Sequence, residues 1–302
     1  MSVLYSIMKP IVRKKMKGRV HSTQTWEEFE QRGHAIQAKF RFALPKIKGF
    51  EFRDEQIDGC HCIVGRKAGT KPTRALMFFF GGGLTRWAMP KNSSIKRYIE
   101  ETDRELWLPF YPLYPDHDVT EEIAMLDDVY TRMLAQYPAD KIAWLGFSSG
   151  ADLILTLGRD FIQRGQPMPM PQMMVAVSPC NLTISEESYK RMEEIEKRDI
   201  AMSAADTKTF LPLYDRHHQA APHIWGNAAT DDYTGFPKTI LMFGGDEIFA
   251  GEAPAYEAAF RRCGVKDAVV HVEPGLFHGY PMFPFVKEGR RGEDEVIAYL
   301  KD

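Results

Sequence analysis

The sequence predicts an α/β fold whose central sheet is mostly parallel and carries helices on both faces. Short apolar runs bounded by glycine alternate with segments of helical periodicity, a pattern typical of parallel strands joined by crossover helices. The chain has 302 residues, of which 44% are hydrophobic, so it can bury a large core in one or two domains. A net charge of −2 argues against a protein that binds nucleic acid by neutralising phosphates.

The amino-terminal segment differs from the rest of the chain, because basic residues are interleaved with apolar ones between positions 9 and 19. Its charges follow a short apolar stretch instead of preceding a long one, which argues against a secretory signal. We expect a helix that lies over the main body, with weak contact to an anionic membrane surface as the alternative. Positions 25–42 continue with helical spacing, and Pro45 ends the segment.

The strands and helices of the main body follow from Gly49 onwards. Apolar or β-branched runs predict strands at 50–52, 60–64, 75–80, 106–111, 141–145, 173–177, 239–243 and 268–272. Helical spacing predicts helices at 119–137, 151–163, 253–263 and 293–300. The stretch from about 181 to 232 is polar and helical and interrupts the alternation, so we interpret it as an insertion that helps to cover a site.

The four cysteines do not indicate a disulfide framework. They are Cys60, Cys62, Cys180 and Cys263, too few and too scattered for one. Cys60 and Cys62 flank His61, but a Cys-x-Cys without a second ligand pair is a weak zinc signal, and we predict no metal. Thiols on a strand fit a reducing compartment, and we expect a cytoplasmic protein.

The pentapeptide Gly146-Phe147-Ser148-Ser149-Gly150 lies between a predicted buried strand and a predicted amphipathic helix. A strand that turns directly into a helix crowds the residue at the turn, and glycine on both sides relieves that crowding. The serine hydroxyl is then exposed above the sheet, at a helix N-terminus that favours negative charge. We therefore predict that Ser148 is a nucleophile, and a helix-capping serine is the alternative.

A serine nucleophile needs a base and an acid that orients the base. Asp246 follows one predicted strand, and His278 lies in a glycine-flanked loop after the next. Because the carboxyl ends of parallel strands share one sheet edge, these side chains can converge with the serine. Asp246 is the predicted orienting acid, with a helix N-cap as its alternative role; Glu247, Asp231 or Asp232 could replace it.

A hydrolase of this kind also needs donors for the negatively charged oxygen of the tetrahedral intermediate. The apolar run at 75–80 leads directly into Gly81-Gly82-Gly83, where backbone N–H groups without side chains can approach a carbonyl closely. The N–H of Ser149, next to the nucleophile, would supply another donor.

These motifs resemble the hormone-sensitive-lipase-like branch of the α/β-hydrolases, which includes many bacterial carboxylesterases. The resemblance runs from about residue 50 to the end. Its motifs, in chain order, are Gly81-Gly82-Gly83, Tyr111-Pro112-Leu113-Tyr114-Pro115-Asp116, the Ser148 pentapeptide, Asp246, and Pro274-Gly275-Leu276-Phe277-His278-Gly279. It implies an α/β-hydrolase fold, hydrolysis of carboxylic esters, and no metal or organic cofactor.

The resemblance also implies roles for particular residues. The N–H groups of Gly82, Gly83 and Ser149 would form the oxyanion hole, and residues 1–48 would form a helical cap over the catalytic domain at 49–302. Two departures stand out. Phe80 replaces the histidine of the family's His-Gly-Gly-Gly, so the side chain that braces the glycine loop in the family is absent here. The family's usual Gly-Asp-Ser-Ala-Gly reads Gly-Phe-Ser-Ser-Gly here.

The substrate is less well indicated. Trp87, Met89 and Phe277 lie near the glycine and histidine loops and could line an apolar acyl pocket. We expect a small-molecule ester with a short- to medium-chain acyl group, acetyl included. The alternatives are a lactone, a serine peptidase on the same fold, or a non-catalytic ligand-binding homologue. A monomer and a homodimer both fit the family.

Overall fold

The computed structural model describes residues 9, 25–164, 168–181, 183–208, 224 and 226–302. Within these residues the strands are β1 (Phe50–Ile57), β2 (Cys60–Lys67), β3 (Arg74–Phe79), β4 (Arg104–Pro109), β5 (Ile142–Phe147), β6 (Met173–Val177), β7 (Lys238–Gly244) and β8 (Ala268–Glu273). The helices are α1 (Trp26–Gln37), α2 (Asn92–Thr102), α3 (Val119–Leu134), α4 (Ser149–Gln163), α5 (Glu186–Glu196), α6 (Ala204–Thr207), α7 (Ala253–Arg262) and α8 (Lys287–Lys301).

The eight strands form one sheet in the order β1-β2-β4-β3-β5-β6-β7-β8. β2 pairs antiparallel with both β1 and β4, whereas every pair from β4 to β8 is parallel. The sharp turn between β1 and β2 uses Asp58 and Gly59, both at positive φ, which suits the twist of a two-residue hairpin. The parallel part brings the carboxyl ends of β3, β5, β6, β7 and β8 to one edge.

The core is the centre of this sheet and the helices packed on it. Every residue of β4, β5 and β6 is buried, because helices cover both faces of a parallel sheet and leave no solvent-facing side. Among the helices, α2 packs against α8 and α3 against α4. In the described part of the chain, no helix combines the length and apolarity needed to cross a membrane.

The predicted alternation of strands and helices is confirmed, with local differences. The strand expected at 106–111 begins and ends two residues earlier, at Arg104–Pro109, and α8 begins at Lys287 instead of 293. Helix α2 was not predicted. Its buried residues include Ser94 and Thr102, so hydroxyl side chains occupy core-facing positions and weaken the apolar periodicity.

The expected covering segments are described only in part. In the amino-terminal segment, α1 begins after a capping box formed by Thr25 and Glu28, and the helix expected before it lies outside the described residues except for Lys9. The interval 181–232 contains α5 and α6 and, as expected, no strand among its described residues.

Candidate active site

Ser148 stands on a tight turn between β5 and α4, with φ 54° and ψ −127°. The turn requires glycine on both sides. A Cβ on Gly146 would lie 2.5 Å from the carbonyl oxygen of Gly150, and one on Gly150 would lie 2.3 Å from that of Phe79. Any side chain at either position would therefore collide with backbone. The strained turn exposes the serine hydroxyl at the carboxyl edge of the sheet.

The hydroxyl of Ser148 is hydrogen-bonded to His278, which is hydrogen-bonded to Glu247. The serine Oγ donates to Nε2 of His278 at 2.8 Å. On the other side of the ring, the Nδ1–H donates to Oε2 of Glu247 at 2.5 Å. The carboxylate fixes the tautomer that leaves Nε2 able to accept the serine proton. The three side chains come from the loops after β5, β7 and β8.

The carboxylate of Glu247 is held from several sides. Its side chain has no exposed surface, and its Oε1 accepts hydrogen bonds from the Ser178 hydroxyl and the Gly244 N–H, both at 2.8 Å. Ser178 Oγ in turn accepts from the N–H of Gly279 at 2.9 Å. Ser178 therefore links the acid to the histidine loop, a role that the sequence analysis did not assign.

The acid that orients His278 is thus Glu247 and not the predicted Asp246. Asp246 instead forms an ion pair with Lys9 and accepts a hydrogen bond from Arg198 at 3.0 Å. Its backbone N–H still bonds to Leu276 in the histidine loop. Asp246 and Glu247 lie on the turn that follows β7, and their side chains diverge there. Asp246 is buried against Lys9 and Arg198, whereas Glu247 contacts the imidazole.

The other alternative acids are engaged elsewhere. Asp231 forms an ion pair with the buried Arg159. Asp232 accepts from the N–H of Thr234 at 2.8 Å. Neither carboxylate contacts the imidazole.

Two opposing effects set the pKa of His278. Burial lowers the pKa of the imidazole, but the charge and hydrogen bond of Glu247, together with the charge of Asp199, raise it above its ordinary value. Asp199 is itself tied to the site, because its Oδ2 accepts from the N–H of Ile248 at 2.8 Å. Both carboxylates therefore favour the protonated form of this imidazole.

The glycine loop is supported without the histidine of the family motif. The hydroxyl of the fully buried Tyr111 donates to the carbonyl oxygen of Phe80 at 2.5 Å. Further along, Ala88 donates its N–H to Gly81 at 2.9 Å. A Cβ on Gly81 would come within 3.2 Å of the Ser148 Cβ, so the loop lies directly against the serine.

The three expected oxyanion donors differ in their surroundings. The N–H of Gly83 donates to the side-chain oxygen of Ser149 at 3.1 Å. Leu84 donates to the same oxygen at 3.4 Å. Ser149 is the first residue of α4, where backbone N–H groups have no partner within the helix. The N–H of Gly82 makes no hydrogen bond to any described residue.

Cys180 follows β6 and lies beside the serine, with its Sγ 4.0 Å from the Ser148 Oγ. Loss of solvent around the thiol raises its pKa well above the ordinary value, so it is neutral at physiological pH and a weak nucleophile. Its bulk limits the space next to the serine. The sequence analysis did not connect this cysteine with the site.

The side chains expected to line an acyl pocket contact other parts of the protein. The indole N–H of Trp87 donates to the carbonyl oxygen of Tyr111 at 2.9 Å, and its ring packs against Phe40 at 4.7 Å. Met89 and Phe277 are partly buried against the core. Trp87 therefore has a clear structural function, in addition to any contact with substrate.

The described residues contain no group of three or more His, Cys, Asp or Glu side chains that could hold a metal ion. Cys60 and Cys62 lie on β2, as expected. Between them, His61 hydrogen-bonds to Asp54 at 2.7 Å and stacks on Phe42.

Comparison with known proteins gives a consistent result. The profile of the alpha/beta hydrolase fold family matches residues 76–282. An esterase of Acinetobacter venetianus is 27% identical over 72% of this chain and 71% of its own length. An acetyl-hydrolase of Streptomyces hygroscopicus is also 27% identical, over 56% of each chain.

A solved structure shares the fold. An esterase from the bacterial hormone-sensitive lipase family superposes with a TM-score of 0.78 at 17% identity, covering 100% of this chain and 98% of that one.

Proposed function

Since this chain belongs to the alpha/beta hydrolase fold family and is a carboxylesterase-like hydrolase, we propose that it cleaves its ester through Ser148, His278 and Glu247. The observation that carries this proposal is the continuous hydrogen-bonded path from the Ser148 hydroxyl through both ring nitrogens of His278 to a buried carboxylate. Such a path supplies a nucleophile, a base and an orienting acid in one line.

In this mechanism His278 takes the proton from Ser148 as its oxygen attacks the ester carbonyl. The carbonyl electron pair moves to the oxygen, and Glu247 stabilises the imidazolium without taking its proton. The imidazolium then protonates the leaving alcohol, which departs and leaves an acyl-enzyme. Water repeats the sequence, releases the carboxylic acid and regenerates the serine.

Backbone N–H groups of Gly82 and Ser149 are the proposed direct donors to the oxyanion. The glycine loop packs against Ser148, and Ser149 N–H is unpaired within its helix. Gly83 was expected to donate directly, but its N–H is engaged by the Ser149 hydroxyl. Its contribution therefore passes through that hydroxyl.

We propose a short acyl group, acetyl included, as the preferred substrate feature. The side chain of Cys180 stands 4.0 Å from the nucleophilic oxygen, so it takes up space beside the reacting carbonyl and favours a small acyl group there. The acetyl-hydrolase relative supports the same size. Met89 and Phe277 remain proposed contacts for the rest of the substrate. Trp87, whose side chain is held by Tyr111 and Phe40, is a further proposed contact in the same pocket.

The proposed cap consists of residues 1–48 together with the insertion at 181–232, set on a catalytic domain at 49–302. Support comes from Asp246, which contacts Lys9 from the first segment and Arg198 from the second. Both segments therefore meet the loop that carries Glu247. The cysteines carry free thiols, which supports the proposed cytoplasmic location.

The test of the catalytic serine is covalent labelling with a fluorophosphonate, read by intact mass and peptide mapping. We expect one adduct, on Ser148, and none on the Ser148→Ala variant. That variant should lose p-nitrophenyl acetate hydrolysis by about 10⁶-fold, by analogy with other serine hydrolases. Substantial turnover by Ser148→Ala, or a wild-type protein that takes no label, would contradict the proposed mechanism.

The size of the acyl site is tested with p-nitrophenyl esters of increasing chain length. We expect kcat/KM to be highest for the shortest chains and to fall as the chain lengthens. Cys180→Ala should move the preference toward longer chains, because it removes bulk beside Ser148 and replaces none of the three triad residues. An unchanged preference in Cys180→Ala would show that another residue limits the acyl site.

A further inference from the structure

The side chain of Ser149 contacts the glycine loop. It follows Ser148 directly, it is 3% exposed, and the resembling family usually has alanine there. Its Oγ accepts hydrogen bonds from the N–H groups of Gly83 and Leu84, at 3.1 and 3.4 Å. A methyl group could accept neither bond, so the hydroxyl has a specific interaction with the loop.

The Ser149 hydroxyl has one hydrogen-bonding group that the glycine loop does not use. A serine hydroxyl has two acceptor lone pairs and one O–H donor. The two loop N–H groups occupy both lone pairs, so the O–H is the remaining capacity. Among the described residues it has no acceptor. Accepting two N–H bonds also polarises the hydroxyl and makes it a stronger donor.

We propose that the Ser149 hydroxyl donates a hydrogen bond to the substrate carbonyl oxygen as that oxygen becomes negative. This inference rests on the proposed function. When Ser148 Oγ bonds to the carbonyl carbon, the carbonyl electron pair moves to oxygen and the serine proton moves to His278 Nε2. Ser149 keeps its own proton throughout and contributes only a hydrogen bond. It acts beside the N–H groups of Gly82 and Ser149.

This arrangement explains how Gly83 takes part while its N–H is occupied. The loop N–H donates to the hydroxyl and the hydroxyl donates to the oxyanion, so the polarisation passes along a chain of two hydrogen bonds. A second contact, from Leu84, holds the oxygen in place. The hydroxyl is therefore positioned before substrate arrives, which is what electrostatic stabilisation of a transition state requires.

The test compares Ser149→Ala with wild type on a matched pair of substrates, an aryl acetate and its thionoacetate. In the thionoester the carbonyl oxygen is sulfur, a much weaker hydrogen-bond acceptor. We expect Ser149→Ala to lower kcat on the oxoester by about 10²–10³-fold, the usual effect of losing one oxyanion donor, with KM little changed. The rate on the thionoester should fall much less, so the ratio of oxoester kcat to thionoester kcat should be smaller in Ser149→Ala than in the wild type. Ser149→Thr, which keeps a hydroxyl, should restore most of the ratio.

Several results would overturn the inference. An unchanged or higher oxoester kcat in Ser149→Ala would mean that the hydroxyl only masks Gly83. Equal losses on both esters would mean that it only supports the loop. Because the ratio compares two substrates on one preparation, partial misfolding cannot imitate the expected result. Failure of the wild type to label at Ser148 would instead remove the proposed function, and this inference with it.

Discussion

Exchange of Glu247 for glutamine removes one charge from the site and keeps the size of the side chain. The surrounding hydrogen bonds decide how the amide would sit. Gly244 N–H can only donate, and it points at Oε1, so the amide oxygen takes that position. The amide NH₂ then faces His278 Nδ1, which must become an acceptor. The ring proton moves to Nε2, where it opposes the hydroxyl of Ser148.

A neutral imidazole in that tautomer cannot take the serine proton. The corresponding change in a serine protease lowers kcat by about 10⁴-fold with little change in geometry. We expect a similar loss in kcat/KM for Glu247→Gln, about 10⁴-fold or about 5.5 kcal/mol of transition-state stabilisation. KM should change little, since the acid does not contact the substrate.

The matched control is Asp246→Asn, one residue earlier. Asp246 contacts Lys9 and Arg198 and not the imidazole, so this variant should retain kcat/KM to within about threefold, less than 0.7 kcal/mol by the same conversion. Both variants are measured by initial rates on p-nitrophenyl acetate, with melting temperatures to confirm folding. An inactive Asp246→Asn beside an active Glu247→Gln would refute the assignment of the acid.

Three further predictions concern the support of the site. Because a raised pKa keeps His278 protonated to higher pH, the acid limb of kcat/KM should have its midpoint above the ordinary value of about 6.5. In Glu247→Gln the carboxylate that raises the pKa of His278 is gone and burial remains, so NMR titration of the histidine should show a pKa lower than in the wild type. An unchanged pKa would contradict this account. Tyr111→Phe should lower the free energy of unfolding by about 1–3 kcal/mol, because the buried carbonyl oxygen of Phe80 loses its hydrogen-bond donor. The melting temperature should fall by a few degrees, and an unchanged melting temperature would contradict this prediction. Gly150→Ala should prevent folding or abolish activity, because its Cβ would stand 2.3 Å from a carbonyl oxygen of β3; an active, stable variant would show that the turn can relax.

The sequence was sufficient for most of the fold because buried parallel strands carry a strong local signal. Apolar runs such as 173–177 match the observed β6 residue for residue. Helix α2 was missed because Ser94 and Thr102 occupy buried positions and dilute its periodicity. The local signal identifies an element only where its buried face is apolar.

The site was predictable to the extent that it follows strand ends. Ser148 and His278 each come after a strand of the parallel sheet, and the sheet topology places both loops at the same edge, with β6 and β7 between their strands. Ser178 also follows a strand, β6, but nothing in its local sequence indicates that its hydroxyl joins Glu247 to Gly279. Tyr111 was noticed only as part of a resembling motif. Its support of the glycine loop depends on a contact between two loops that are 31 residues apart in the sequence.

Local sequence does not show which of two adjacent carboxylates contacts His278. Asp246 and Glu247 both follow β7, and spacing from the strand does not decide between them. The difference arises in three dimensions. The N–H of Asp246 donates to the carbonyl oxygen of Leu276 at 2.8 Å, which ties this turn to the histidine loop while the Asp246 side chain contacts Lys9 and Arg198. In this arrangement Glu247 contacts the imidazole, and its carboxylate accepts hydrogen bonds from the Gly244 N–H and the Ser178 hydroxyl. The acid is therefore selected by the pairing of one loop with another, and any substitution that shifts this pairing should impair His278 without touching a catalytic side chain.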